Sequence, residues 1–568
     1  MTVDYTKSAI IKKSLLVNFL AFLTILILYS PFISITDYEE VERIYGVYTN
    51  YLDGRTKFVQ PIYGKLICFL VEQYANVPWY ILIFFIIEFF SLVVMTCYLY
   101  KSKSGLDDHI FILLFTLIFA YEAYAHVGFT KVAAYVGSAG FLLLLSDNTR
   151  NIEKICGGVC IFISIIIRYQ IAEALIGIWG LTIMLETLGG FTIIQTRKIR
   201  ILLYKIILWS LALLIFTLVP IIKNLNEEDH AYWEQVWKWN DYRATCQDYQ
   251  DEDKNYLTEN YDVTLNDFQV WYNWNDDCYK LDDRLGSEII SHSLRNIGLI
   301  DRVFGKEQLE GFFKVFPLAF FSIDVFWVVI IALLVIASLN HNRKGAILFV
   351  LVSMVGILLL LNYYLYINGR YLMHRVDVAI ILNLIFAGIY LTVSFDCRVM
   401  SLTEKQRRLC LLSMIMSVML VFPYEHYSDD ISYISDRSIE TNRAFFETTC
   451  LRSDDVFLIG NDRDDRAQNE MCFKPFEPHK TGLKKNIIMG ATPENAEVRR
   501  SNGISNPYLD IVDNEKMFFV LSEDNKNTAM WERYFSDTIG REVQLVETEH
   551  LYNRTIYRVR TKNTWKSD

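Results

Sequence analysis

Long apolar runs dominate the first three quarters of the chain, and they constrain its fold more than any other feature. A hydrocarbon core about 30 Å thick needs about 20 apolar residues per helix. The first run, 14–35, follows Lys12 and Lys13 and lacks a small-x-small cleavage site, which predicts an uncleaved first span. Ten more spans are predicted at 79–100, 109–124, 132–146, 155–169, 171–188, 201–222, 315–339, 347–364, 376–395 and 409–423. The expected fold is therefore a polytopic α-helical membrane protein with about 11 transmembrane helices.

Basic residues mark every second short loop, which predicts that these loops face the cytoplasm. They are Lys7, Lys12, Lys13, Lys101, Lys103, Arg150, Lys154, Arg197, Lys198, Arg200, Arg343, Lys344, Arg398, Lys405, Arg407 and Arg408. The N-terminus is then cytoplasmic and the C-terminus extracytoplasmic, in a cell-membrane protein. Residues 1–423 form the transmembrane domain, with a first outer loop at 36–78 and a large outer loop at 223–314.

The residues after 423 have a different texture, because short strand-like runs alternate with helix-like segments. This pattern predicts a small extracytoplasmic α/β domain at 424–568. The net charge of −10 comes largely from the two large outer segments, which argues against nucleic acid as a partner. Membrane lipid is the expected surrounding, and the apolar stretch 61–74 is too short to span and predicts an interfacial helix.

Four cysteines fall in the outer segments, one pair in each. Cys246 pairs with Cys278, and Cys450 with Cys472, if an oxidising exterior bridges them. Four free thiols are the alternative. The sequence leaves both open.

Ionisable residues collect at the outer ends of the predicted spans, while phosphate loops, dinucleotide fingerprints and metal-binding motifs are absent from the sequence. Such groups persist near hydrocarbon mainly where they face a cavity or one another, which predicts a polar cavity open to the outer surface. The ionisable residues at the outer ends are Asp37, Glu39, Glu40, Glu122, His126, Lys131, Arg168, Glu173, Arg370, His374 and Arg375. Glu88, midway through the second span, is expected to make a structural hydrogen bond.

The chemistry of these groups suits sugar transfer from a lipid phosphate. Arg168, Arg370 and Arg375 carry the guanidinium fork that matches phosphate oxygens. Asp37 and Glu40 share a helix face if a helix begins there, and either can accept a proton from a sugar hydroxyl. Tryptophans of the large loop either stack on sugar rings or form the core of that loop, and the second role is favoured.

Several stretches resemble the GT-C superfamily of membrane glycosyltransferases, and more narrowly a group of multi-span proteins from bacterial surface-polysaccharide clusters. They are "ITDYEE", "GRTKFVQPIYGKLICFL", "VPWYILIFF", "IIIRYQIAEALIG", "WNDYRATCQDY", "LNDFQVWYNWNDD" and "YINGRYLMHRV". The resemblance runs from the first span to the tenth and hardly touches the tail. Where many such proteins have adjacent acids after the first span, this chain has Asp37 followed by Tyr38, which leaves open whether Glu39 or Glu40 takes the second role.

The resemblance implies a direct inverting transferase that moves a sugar from a polyprenyl-phosphate donor to a glycan or lipid acceptor. Asp37 would be the general base with Glu40 as substitute, and Arg168, Arg370 and Arg375 would bind the donor phosphate. The remaining charged groups above would contact substrate, joined by Asp241, Arg243, Asp267 and Trp274 from the matching stretches. A divalent cation, Mg or Mn, at the first outer loop is left open.

Three other functions remain as alternatives at this point. A polysaccharide polymerase of the O-antigen type would use a similar cavity with a longer acceptor. A flippase or exporter would show paired halves and broken helices near the midplane, and these are not evident in the sequence. A non-catalytic envelope scaffold would not need arginines and carboxylates to converge.

Overall fold

The structure is a computed structural model, and the features below concern the residues that it describes. These are 7–56, 58–101, 106–146, 150–190, 196–217, 238, 242, 251–272, 283–291, 303–321, 344–367, 374–394, 412, 415, 419, 436–460, 471–489, 496–523 and 527–562.

The part of the chain before residue 400 is mainly helical, with one pair of two-residue strands. Its elements are α1 (Lys7–Leu28), β1 (Phe32–Ile33), α2 (Ile35–Ile44), α3 (Pro61–Gln73), α4 (Trp79–Lys101), α5 (Leu106–Tyr124), β2 (His126–Val127), α6 (Phe129–Leu145), α7 (Asn151–Ile167), α8 (Tyr169–Gly190), α9 (Thr196–Thr217), α10 (Asp251–Asn260), α11 (Leu265–Tyr272), α12 (Asp283–Ser291), α13 (Lys306–Phe321), α14 (Lys344–Ile367) and α15 (His374–Ser394).

Helices lie at the predicted apolar runs wherever these runs are described. The first run was placed too far along the chain, because α1 ends at Leu28 and Pro31 precedes a strand. Two described helices, Ser8–Leu28 and Trp79–Tyr100, are long and apolar enough to cross a membrane. The larger number of spans stays a prediction.

Helix α6 lies at the centre of the helical part. Nearly all of its side chains are buried, and it packs against α4, α7 and α15. A Cβ on Gly140 would lie 2.8 Å from the carbonyl oxygen of Gly157 in α7, so the two backbones approach closely where both residues lack a side chain. Such all-round burial is typical of the central helix of a bundle.

Many apolar side chains are exposed on the outer faces of α1, α7 and α9. They include Ile11, Leu15, Leu16, Phe19, Leu20, Leu23, Ile27, Leu28, Ile152, Ile155, Val159, Phe162, Leu203, Ile206, Ile207, Leu211, Leu213 and Leu214. Helix α3 likewise buries Tyr63 and Ile67 and exposes Leu66 and Phe69. Apolar surface of this extent is unusual for a protein surrounded by water.

The tail forms the predicted α/β fold. Its elements are α16 (Asp436–Cys450), β3 (Val456–Ile459), β4 (Ile487–Met489), α17 (Ala496–Ser501), α18 (Pro507–Asp510), β5 (Met517–Ser522), α19 (Thr528–Ile539), β6 (Val543–Leu551) and β7 (Arg554–Thr561). The sheet order is β4-β3-β5-β7-β6, in which β3 runs parallel to β4 and β5, and β7 runs antiparallel to β5 and β6. Strands β3, β4 and β5 are buried along their whole length, as in sheets covered on both faces.

Part of the large loop packs against the tail. Phe268 and Trp271 of α11 belong to the same hydrophobic core as Trp531 of α19, and the Asn266 side-chain amide donates to Asp537 at 2.6 Å. Trp271 is a buried core residue, as the favoured interpretation of the loop tryptophans expected.

Cys450 and Cys472 are free thiols, which is the second of the two possibilities that the sequence left open. The sulfur of Cys472 lies 3.4 Å from the Tyr38 hydroxyl, whereas the Cys450 thiol donates to the Gly482 carbonyl oxygen at 3.3 Å. Each thiol is thus held by its own partner. Cys246 and Cys278 lie outside the described residues.

Candidate functional site

The candidate site begins at the N-terminus of α2, where the sequence places its acidic cluster. Ser34 caps the helix: its hydroxyl accepts from the Asp37 amide at 3.4 Å and donates to Asp37 Oδ2 at 2.6 Å. A Ser three residues before an acid is a common signal for a helix start. A helix does begin here, which was the condition for Asp37 and Glu40 to share a face, and the two acids lie one turn apart on it.

Asp37 joins three parts of the chain. Its Oδ1 atom accepts from the Tyr80 hydroxyl and from the Phe129 amide, both at 3.0 Å. Because Phe129 is the first residue of α6, the carboxylate lies at the N-termini of both α2 and α6, where helix dipoles favour negative charge. Asp37 is only 1% exposed.

Burial raises the pKa of the Asp37 carboxyl above its ordinary value. The hydrogen bonds from Ser34 and the Phe129 amide, the charge of Arg375 and the bond from Tyr80 oppose this shift in decreasing order. A carboxylate with a raised pKa is a stronger base than one in water.

Glu40 makes a parallel contact one helical turn further. Its Oε1 atom accepts from the Phe58 amide at 2.5 Å. The rings of Phe58 and Phe129 stack at a centroid distance of 5.7 Å and an interplanar angle of 12°. The two carboxylates therefore hold the amides of two stacked phenylalanines.

Two predicted arginines converge on this aromatic pair. The guanidinium carbon of Arg168 lies 5.1 Å from the Phe129 ring centroid, and that of Arg375 lies 5.7 Å from the same centroid. Arg168 also donates to the Phe58 carbonyl oxygen at 2.9 Å, and Arg375 donates to the Thr36 hydroxyl. Both side chains are half-buried, so part of each remains open to solvent.

The strand pair β1–β2 brings the next group of predicted residues beside α2. Phe32 pairs with His126 in a parallel register, and the His126 Nε2 atom lies 3.2 Å from the Tyr121 hydroxyl. Lys131 and Glu122 form a buried ion pair of 2.9 Å. Lys131 is thus buried against Glu122, whereas the side chains of Arg168 and Arg375 are partly exposed.

The other predicted residues fall in three groups. Glu39 is largely buried on α2, and Glu173 is exposed on α8. Asp267 accepts from the Thr264 amide at 2.6 Å and caps α11, whose Phe268 and Trp271 lie in the core shared with the tail. The structure therefore gives Asp267 a structural contact rather than a place beside Asp37. Arg370, Asp241, Arg243, Trp274 and the side chain of His374 lie outside the described residues.

Glu88 differs from the expectation. It is fully buried in α4, and neither carboxylate oxygen has a hydrogen-bond partner among the described residues. The prediction that Glu88 makes a structural hydrogen bond is therefore wrong for the residues that the structure describes.

A divalent cation at the first outer loop stays a prediction that the described residues do not test. They contain no group of three or more His, Cys, Asp or Glu side chains that could hold one ion. Asp37 and Glu40 instead direct an oxygen each at a different backbone amide.

Sequence reasoning missed Phe58, Phe129 and Tyr80, although these residues assemble the site. Phe58 and Tyr80 lie in stretches that carried the resemblance, but a single aromatic residue in an aromatic-rich chain gives no signal of its own. Comparison of the chain with protein-family models, with curated proteins and with solved structures found no match.

Proposed function

We propose that the protein is a membrane glycosyltransferase that moves a sugar from a polyprenyl-phosphate donor to a glycan or lipid acceptor on the outer face of the cell membrane, in cell-surface polysaccharide synthesis. One observation carries the proposal. Arg168 and Arg375, 207 positions apart, pack on the same Phe129 ring, while the amide of Phe129 is bound by Asp37. An anion site and a base are thereby adjacent.

The proposed step needs no protein nucleophile. The acceptor hydroxyl oxygen attacks the anomeric carbon of the donor sugar, the bond from that carbon to the phosphate oxygen breaks, and its electron pair stays on the phosphate. The hydroxyl proton passes to Asp37, which later releases it to water. Arg168 and Arg375 bind the departing phosphate through charge-assisted hydrogen bonds.

Oδ2 is the Asp37 oxygen better suited to take the proton. Oδ1 accepts two hydrogen bonds, whereas Oδ2 accepts one, from Ser34. A carboxylate oxygen has two lone pairs, so Oδ2 retains one. A Cβ at Gly128 would lie 3.4 Å from Oδ2, and the glycine leaves that space without a side chain.

Two features support a membrane setting for this chemistry. The exposed apolar faces of α1, α7 and α9 suit contact with lipid. The first outer loop contacts the tail, and the tail contacts the large loop, which requires all three on one side of the membrane. This agrees with the proposed topology, in which the N-terminus is cytoplasmic and the tail extracytoplasmic.

A non-catalytic envelope role is the second candidate. It is favoured by the nearly complete burial of Asp37 and by its contacts at two helix N-termini, which would stabilise the fold without any reaction. A polymerase would share the proposed chemistry and differ in the length of the acceptor.

Transfer of labelled sugar by membranes that contain the full chain tests the proposal, with a panel of polyprenyl-phosphate sugars as donors. We expect Asp37→Asn to lower transfer at least about 100-fold, the contribution typical of a general base. Arg375→Met should raise the donor KM, because it removes phosphate contacts. Glu72→Gln, an exposed acid on α3, is the matched control. Equal transfer by wild type and by the Asp37→Asn, Glu40→Gln double variant would reject both acids as the base, and no transfer from any donor would favour the envelope role.

A further inference from the structure

The tail reaches back to the helix that carries the acids. Residues 471–485, here called the strap, lie against α2 and the turn that follows it. The Gly482 amide donates to the Gly46 carbonyl oxygen at 2.8 Å, and the Lys484 amide donates to the Val47 carbonyl oxygen at 2.8 Å. These backbone bonds fix the strap beside the C-terminal end of α2.

A second set of contacts holds the N-terminal half of α2. The Tyr38 hydroxyl accepts from the amides of Cys472 and Phe473 at 2.7 and 3.2 Å. Tyr38 directly follows Asp37 and is 1% exposed. Because the helix is rigid over these few residues, a contact that fixes Tyr38 also fixes the rotation of the helix at Asp37.

An ion pair completes the contact. The Lys484 ammonium lies 2.7 Å from each carboxylate oxygen of Glu42, and the side chains are 0% and 1% exposed. The Tyr48 hydroxyl donates to Glu42 at 2.9 Å, and the ammonium lies 4.7 Å from the Phe446 ring centroid. Charges buried this deeply persist only when they are paired, so loss of one partner strongly opposes docking.

We propose that the α/β tail positions the acid-bearing helix, with Lys484 as the positioning residue that acts through Glu42. The tail is then part of the site assembly and not an appendage that folds beside it. Lys484 does not reach the reacting atoms. It sets the place of α2, and through it the direction of the Asp37 and Glu40 carboxylates.

Hydrogen exchange of the full-length protein tests this inference without any need for transfer activity. Lys484→Met keeps an apolar side chain and removes the positive charge, which leaves the buried Glu42 carboxylate without the cation that pairs with it. We expect exchange at 38–48 and 471–485 to become at least 10-fold faster, while α6 and β5 exchange as in wild type. Lys516→Met, an exposed lysine of the same domain, is the matched control.

The double variant Glu42→Met, Lys484→Met separates positioning from general damage. Removing both partners leaves no unpaired charge, although the Tyr48 hydroxyl loses Glu42 as its acceptor, so exchange at 38–48 should return to within about threefold of wild type. Unchanged exchange in Lys484→Met would overturn the inference. So would equal acceleration in β5, because Lys484 would then serve only the fold of the tail.

The effect on transfer rests on the proposed function. Lys484→Met should lower kcat at least 10-fold, and the double variant should recover it. The donor KM should change less than kcat, because Arg168 donates to the Phe58 carbonyl oxygen outside α2 and Arg375 contacts that helix through the Thr36 hydroxyl. A larger change in KM than in kcat would overturn the positioning role. If the exchange results hold and no donor is transferred by wild type, the proposed function fails and the docking role of the tail stands.

Discussion

His479 is a residue of the strap whose ring lies against α2 and the residue that follows it, and it makes the docking of the strap sensitive to acid. Its ring centroid is 4.5 Å from that of Phe473, 5.2 Å from that of Tyr45 and 5.8 Å from that of Tyr38. Its Nε2 atom is buried without a hydrogen-bond partner among the described residues. Burial lowers the pKa of His479 to about 3, the positive charges of Lys484 and Arg443 act in the same direction, and a backbone hydrogen bond at Glu477 opposes them.

The sign of the effect follows from the lowered pKa. When the strap leaves α2, His479 regains a pKa near its ordinary value of about 6.5 and binds protons more readily than in the docked state. Docking is therefore fully stable above about pH 6.5 and weakens as the pH falls toward 3. Between pH 7.5 and 5.0 the loss amounts to about 2 kcal/mol, at about 1.36 kcal/mol for each pH unit below 6.5.

Hydrogen exchange of the strap at pH 7.5 and 5.0, corrected for the intrinsic pH dependence of exchange, measures this loss. We expect the protection of residues 471–485 to fall about 30-fold in wild type, the equivalent of about 2 kcal/mol. In His479→Phe, which keeps an aromatic ring and cannot titrate, the fall should be much smaller. Comparing the wild type with His479→Phe removes the contribution of the other side chains that titrate between pH 7.5 and 5.0, because both proteins share them. An equal fall in both chains would refute the reasoning.

Three further substitutions test the packing, each by thermal unfolding of the full-length protein. Gly46→Ala should destabilise by about 2 kcal/mol or more, because φ is +67° and the new Cβ would meet the Tyr51 carbonyl oxygen at 2.1 Å; an unchanged midpoint would contradict this turn. Gly140→Leu should cost about 3 kcal/mol by forcing α6 and α7 apart, whereas Leu at the open position Gly158 should cost far less. Arg554→Met should cost about 1–2 kcal/mol, because it removes a buried hydrogen bond of 3.0 Å to Asn442; a stability equal to wild type would show that this bond contributes nothing.

The sequence predicted the elements of this protein better than their contacts. Apolar runs located the helices because a period and a length can be counted without knowledge of neighbours. The pair Asp37 and Glu40 could also be found, because their position after the first apolar run and their three-residue spacing are local signals. The end of the first run was misplaced because its apolar residues continue into β1, where they pack as a strand.

Contacts between distant segments could not be read in the same way. The meeting of Arg168 and Arg375 was anticipated only as a shared surface, and the ring of Phe129 that joins them was not. Glu42 and Lys484 are 442 positions apart, and each looks like an ordinary solvated charge in its own segment. The sequence left the pairing of Cys450 with Cys472 open for the related reason that two cysteines in one segment do not reveal their distance in space.

The contact between Glu42 and Lys484 has a consequence for the order of events during synthesis. Helix α2, which carries Glu42, leaves the ribosome early, whereas Lys484 follows 442 residues later. At about 5–20 residues per second, this interval lasts roughly 20–90 s. Throughout that time the Glu42 carboxylate lacks the partner with which it is buried in the folded protein, because Lys484 has not yet been made. The acid helix thus acquires its final setting only after most of the chain has been made, and a chain interrupted before residue 484 would carry both Asp37 and Glu40 without the support that orients them.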